Sequence, residues 1–149
     1  MMEKTVTSIP ELVEFLKTQK VGVLAVEMLD GAPHAATVHF AFTAEPFILY
    51  FETNSETRKA EPLVKHGKTR ASFVVGSNEK SKITLQLDGT VSVVTPEEKA
   101  EYDKAYFGSL PEKVKKNPDP KALPLKFTPT WWRFTDWTTP DGKKMWLSQ

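Results

Sequence analysis

Turn signals punctuate this chain so closely that only short extended segments fit between most of them. Asp30-Gly31, Pro46, Gly76-Ser77-Asn78, Asp88-Gly89 and Asp141-Gly142 each mark a reversal or an interruption. Between them lie runs rich in β-branched and aromatic residues: 21–27, 33–43, 47–53, 69–75, 82–94 and 131–137, with a short last strand after Gly142. Asp88-Gly89 falls inside the longest run and predicts a bulge or bend there. Three helices are expected around the strands. Ser8 and Glu11 have capping-box spacing, Pro10 suits a first turn, and Ile9, Leu12, Val13 and Leu16 form one apolar stripe ending near Lys20. A second helix opens after Ser55 and stops at Gly67; a third opens at Thr95-Pro96-Glu97-Glu98 and stops at Gly108. Residues 109–130 hold five of the eleven prolines and read as a connector with one helical turn near 112–115. The pattern is that of a mainly β protein, an antiparallel barrel closed or partly closed, with helices at its ends.

Composition narrows the function classes. A chain of 149 residues fits one domain and can bury a core without staples. Its formal net charge of +1 argues against a general nucleic-acid surface. Cysteine is absent, which removes disulfides, thiolate metal sites and a cysteine nucleophile, and fits a reducing compartment. No signal peptide is evident and no segment approaches the roughly 20 apolar residues of a membrane span, so a cytoplasmic location is expected. The sequence has no HExxH, GxSxG, GxxxxGK[ST] or GxGxxG pattern. His34 and His39 are an odd number apart on one strand and point to opposite faces, so no metal site is expected.

Two features carry chemistry. In 50–59, aromatic strand residues give way to Thr53, Asn54 and Ser55, and Arg58-Lys59 follows at the expected start of a helix. Cations there oppose the helix dipole by about 0.3–1 kcal/mol each. A bound anion reverses that sign, because hydroxyls, backbone N–H groups and both cations converge on it. Alternatively both side chains point into water, with Glu56 and Glu61 as loose partners. The second feature is the placement of all four tryptophans in the last nineteen residues. Trp131 and Trp132 are adjacent on a strand and must face opposite ways, so one of them meets a second surface. Structural packing explains that as readily as a flat ligand does. Along 33–43, Val38, Phe40 and Phe42 alternate with Ala35, Thr37, His39 and Ala41, leaving one face for a ligand or for solvent.

Three stretches together resemble the pyridoxamine 5′-phosphate oxidase-like, flavin-binding split-barrel family across about residues 8–137. They are the hairpin Val23-Leu24-Ala25-Val26 with Asp30-Gly31-Ala32-Pro33-His34, the run Tyr50-Phe51-Glu52-Thr53-Asn54-Ser55-Glu56-Thr57-Arg58-Lys59, and the strand Ile83-Thr84-Leu85-Gln86-Leu87-Asp88-Gly89-Thr90-Val91. The resemblance implies an antiparallel six- to seven-stranded split β-barrel that binds flavin mononucleotide (FMN) as a homodimer, with two sites at the subunit interface. It implies that Arg58 and Lys59, with Thr53 and Thr57, hold the FMN phosphate. Ala36, Thr37, Val38 and His39 would lie along the ring, and Glu52, Thr53 and Asn54 would meet the flavin at the strand end. Thr84 takes the position of a flavin-contacting glutamine, with Gln86 two residues on, and Trp137 matches an aromatic position. Ala36 and Ala41 stand where the founding oxidase has arginine and lysine, and the C-terminal arginine–histidine motif for pyridoxal phosphate is missing. The expected function is therefore an FMN-dependent oxidoreductase taking electrons from a donor such as NAD(P)H, not a genuine pyridoxamine phosphate oxidase. The alternative is a non-catalytic protein on the same barrel that binds flavin, haem or a deazaflavin.

Overall fold

The segment 33–44 is continuous in sequence and serves both edges of one sheet. In the computed structural model, which describes residues 5–76, 78–80 and 82–148, the strands are β1 (Val21–Glu27), β2 (Pro33–His39), β3 (Ala41–Ala44), β4 (Phe47–Asn54), β5 (Lys68–Val75), β6 (Ile83–Val93), β7 (Ala122–Asp136) and β8 (Lys144–Leu147). Ser77, in the predicted 76–78 loop, lies outside the described residues. Seven strands follow the order β2-β1-β5-β6-β7-β4-β3, every pair antiparallel, and β8 pairs with β7. The two outermost strands of that path, β2 and β3, are joined by Phe40 alone, so the sheet must curl until its edges meet. The product is a curled antiparallel half-barrel with flanking helices, as the turn spacing and the resemblance predict.

The inside of the curl is aromatic. Phe73 of β5 is fully buried, with ring centroids 5.3 Å from Phe40, 5.0 Å from Phe51 and 6.2 Å from Phe127. Phe51, Phe73 and Phe127 come from three different strands and Phe40 from the join between β2 and β3, and tilted or edge-on pairs at these distances contribute about 0.5–1.5 kcal/mol beyond their area. Leu24, Val75, Leu85, Leu87 and Val91 complete this core between them. β1 to β6 largely fall where predicted, and the register between β6 and β7 shifts at Asp88/Gly89, the expected bulge. A Cβ on Gly89 would collide with the Thr128 carbonyl oxygen, so the close backbone approach needs glycine.

Four expectations are corrected. The Ser8–Glu11 box does not form, because Ser8 closes a 3-10 turn, Val6–Ser8, by donating from Oγ to the Thr5 carbonyl at 2.6 Å. Helix α1 (Pro10–Lys17) follows it and buries Leu12, Phe15 and Leu16. The return strand is divided at Phe40, which turns its ring into the core. Arg58 and Lys59 lie in a 3-10 turn, Arg58–Ala60, ahead of α2 (Glu61–His66), which Gly67 caps in the left-handed conformation. The proline-rich connector is shorter than predicted, since β7 begins at Ala122 and contains Pro124 and Pro129. Pro129 is tolerated because it sits opposite Gly89 at the bulge, where the ladder is already interrupted.

A second apolar cluster lies under α3 (Lys99–Ser109), where Tyr102, Tyr106 and Leu110 pack on Ala41, Ile48, Tyr50 and Val94. Glu98 pins this layer. Its carboxylate accepts from Thr95 N–H at 3.0 Å, the predicted cap, and from Lys126 Nζ at 2.7 Å on β7. The lysine bond and the cap together hold its pKa below the ordinary carboxylate value. Among the described residues no helix is long and apolar enough to cross a membrane.

Two outcomes are expected. Phe73→Ala should destabilise the fold by about 3–5 kcal/mol, read as a lower urea midpoint at unchanged slope. Glu98→Ala should cost about 1 kcal/mol at pH 7. A depressed carboxylate stabilises above its unfolded pKa of about 4.3 and loses that contribution as pH falls through its folded value, so the gap between the two proteins should close below about pH 4.

Candidate functional site

The end of β4 is where chemistry concentrates. Thr53 is buried, and its Oγ1 lies 3.0 Å from Oγ1 of Thr57, which donates to the Asn54 carbonyl at 2.9 Å. Asn54 Oδ1 accepts from the Glu56 N–H at 2.9 Å, so the asparagine shapes the turn into the cationic pair. Glu56, one of the loose partners considered for Arg58 and Lys59, is bound instead by Lys121 at 2.7 Å. Among the described residues no carboxylate lies within ion-pair distance of Arg58 or Lys59. Burial alone lowers the pKa of Lys59. A desolvated ammonium without a counter-charge is unfavourable, and an anion beside the Thr53–Thr57 hydroxyls would relieve it. Because the two cations sit in a 3-10 turn, this desolvation replaces the helix dipole as the argument for an anion.

β2, which carries Ala36, Thr37, Val38 and His39, contacts both the Arg58–Ala60 turn and β4. Val38 points into the core, Ala36 is half-buried, and Thr37 and His39 face outward. Glu52 is exposed at the end of β4, and Tyr102 Oη donates to its Oε2 at 3.5 Å. Burial first, and the Glu52 charge second, raise the pKa of Tyr102 and push that of Tyr106 up to about 12, so both remain neutral hydroxyls. Arg58 and Thr57 also border a cleft of about 490 Å³ with Leu29, Glu61, Val64 and Lys65.

Thr84 and Trp137 are elsewhere. They line a cleft of about 610 Å³ with Val74, Gln86 and Lys82. Trp137 is 55% exposed, with Lys143 Nζ 4.8 Å from its ring centroid, and Gln86 accepts from Arg133 at 2.7 Å. The strand ladder measures the gap between the two groups. Thr53 pairs with Leu123 and Thr84 with Thr135, twelve residues along β7, or about 40 Å of strand path at roughly 3.3 Å per residue. The two groups line different clefts at positions twelve residues apart along β7. Of the other tryptophans, Trp132 is buried, Trp131 is half-buried on the opposite face as predicted, and Trp146 packs on Phe134 with centroids 5.3 Å apart. Among the described residues no group of three or more His, Asp or Glu side chains could hold a metal ion.

Sequence reasoning missed Lys113. It sits in the 3-10 turn Pro111–Lys113, with Nζ 3.4 Å from His39 Nδ1, and borders a pocket with Glu52. Nothing local in a proline-rich connector signals that it folds back over β2 and β4.

A comparison with curated protein sequences gives no match. Solved structures share the fold at low identity. A heme-binding protein from Mycobacterium smegmatis superimposes with TM-score 0.70 at 15% identity, over 94% of this chain and 59% of that one. A pyridoxamine 5′-phosphate oxidase-related, FMN-binding protein from Nostoc punctiforme gives 0.66 at 14% identity, over 95% and 87%. The general stress protein 26 of Bacillus anthracis gives 0.60 at 20% identity, over 83% and 93%. The family model for pyridoxamine 5′-phosphate oxidase matches residues 8–136, a span that takes in the hairpin, the cationic turn and the bulged long strand alike. The chain belongs to the pyridoxamine 5′-phosphate oxidase-like family.

Proposed function

We propose that this protein is an FMN-binding oxidoreductase that passes electrons from a donor such as NAD(P)H to a small-molecule acceptor. One observation carries the reading: among the described residues neither exposed Arg58 nor half-buried Lys59 has a carboxylate within ion-pair distance, and both follow directly on the Thr53–Thr57 hydroxyl pair in the chain. A phosphate dianion supplies the missing charge and accepts from Arg58 and Lys59, and a threonine hydroxyl joins them by turning from its present partner. Ala36 is small and half-buried on β2, which suits close approach of a flat ring to the backbone there, and the bound flavin would supply the redox chemistry. The protein's part is to hold the phosphate and keep water from the ring.

The distance along β7 favours a homodimer. The Thr84–Trp137 group and the strand-end group of one chain line different clefts, at positions twelve residues apart along β7. A two-fold dimer lets the strand-end group of one copy face the Trp137 group of the other, giving two equivalent sites. The likeness to a heme-binding protein supports a second reading, a non-catalytic carrier of haem or flavin. The visible spectrum of the purified protein distinguishes the two ligands, and turnover of reduced nicotinamide distinguishes enzyme from carrier.

Replacing Arg58 and Lys59 by alanine should weaken FMN binding by about two to three orders of magnitude in calorimetry while the circular dichroism stays that of the parent. Unchanged affinity would reject the phosphate assignment. Mixing Arg58→Ala/Lys59→Ala protein with a Thr84→Arg/Trp137→Ala variant should restore FMN binding to one site in each mixed dimer. If the mixture binds no better than its two components, the half-sites do not combine across subunits.

A further inference from the structure

Gln86 of β6 and Arg133 of β7 are partners in the strand ladder, and Arg133 Nη2 donates to Gln86 Oε1 at 2.7 Å. A guanidinium has five N–H donors and no acceptor, so only the carbonyl end of an amide can meet it. The contact is partly buried. Among the described residues no carboxylate lies within ion-pair distance of Arg133 to draw it away. The orientation of the Gln86 amide is therefore decided by chemistry. Its Nε2 keeps two N–H donors, which have no partner among the described residues and are not closed off from solvent.

Those donors belong to a side chain that lines the Thr84–Trp137 cleft of about 610 Å³, within the roughly 300–1,000 Å³ range of whole-ligand pockets. Thr84, two residues earlier on the same face of β6, adds a hydroxyl. Trp137 is a flat wall whose backbone is fixed. Its N–H donates to the Lys82 carbonyl at 2.9 Å, and Lys82 holds a left-handed φ of 53°, which costs any residue other than glycine. Lys143 Nζ lies over the Trp137 ring, yet the side chain stays more than half exposed, with ring surface left for a second plane. Glu79 and Lys82 bring opposite charges to the rim. Net charge does not select the occupant, so stacking and hydrogen bonding must.

We infer that this cleft binds a planar ring with acceptor atoms along one edge, which stacks on Trp137 and accepts from Gln86 Nε2. Arg133 is the positioning residue: an unrestrained amide can present either end, and the guanidinium removes that choice. A flavin ring and a nicotinamide both carry carbonyl oxygens of the required kind. Placing either of them here rests on the oxidoreductase reading above; the donor-amide site itself does not.

Lumiflavin, a flavin ring without a phosphate, and nicotinamide are the probes. The readouts are the side-chain amide resonances of Gln86 and the indole N–H of Trp137, followed by NMR on the full chain. At least one ring should move both signals saturably: lumiflavin alone puts the flavin in this cleft, nicotinamide alone puts the electron donor's ring there. Gln86→Glu keeps the bond to Arg133 but has no N–H to give, and should weaken the indole response at least about tenfold. Arg133→Met should weaken it by about fivefold, and Arg133→Lys, which still offers only donors, should restore it. Arg58→Ala/Lys59→Ala should leave it unchanged, since neither probe has a phosphate. No shift with lumiflavin at its solubility limit or with millimolar nicotinamide overturns the site. An equal response in Gln86→Glu overturns the donor role, and an equal response in Arg133→Met overturns the positioning role. A glutamine-dependent nicotinamide response in a protein that binds no FMN upholds the site and rejects the flavin reading instead.

Discussion

Closure of the sheet rests on Phe40. The residues before it pair with β1 and those after it pair with β4, so one stretch of backbone belongs to both edges. An open sheet of this length would leave two rows of unpaired backbone groups, a standing invitation to edge-to-edge association. Here the polypeptide joins them, and the Phe40 side chain fills the space that the join encloses, edge-on to Phe73. The remaining rings of the core arrive from β4, β5 and β7 at the same depth. Curl, closure and core are therefore one event, which explains why the helices need only cover what the strands leave.

The same closure places the candidate site. Because β2 must turn in toward β4 at Phe40, β2 comes into contact with the Arg58–Ala60 turn. The cations there owe their character to what surrounds them. Glu56 is drawn off by Lys121, Thr53 and Thr57 pair their hydroxyls at the end of β4, and half-buried Lys59 has no carboxylate within ion-pair distance among the described residues. The arrangement is costly in an isolated chain and favourable around a phosphate. Sites that bind charged ligands commonly show this inversion, in which residues that weaken the fold strengthen the complex.

Much of this was legible in the sequence because it is encoded locally. The limits of β1, the turn at Gly31, the cap at Thr95–Glu98 and the bulge at Asp88/Gly89 all depend on neighbours a few residues away. The misreadings have non-local causes. Two prolines made the first half of β7 look like a loop, yet Pro129 meets the bulge of a strand some forty residues earlier in the chain. The Phe40 break is invisible in an uninterrupted alternation, because it is imposed by the partner strands. Lys113 reaches His39 across 74 residues of sequence, a relation that no window of local pattern contains. The sequence reading places Thr84 and Trp137 with the cationic turn in one set of flavin-contacting residues, and only the strand ladder shows that they pair twelve residues farther along β7 than Thr53 does.

That ladder makes β7 a spacer as well as a structural element. A rigid span cannot be shortened by side-chain drift, so neither cluster can migrate toward its counterpart in the same molecule. On the proposed pairing, each pigment pocket is inherited as two unlinked patches that must suit one another across a symmetry axis. A change in headgroup preference at one patch then has to be answered at the far end of the neighbouring copy. A gene duplicate that stopped recognising itself would forfeit its ligand together with its mate.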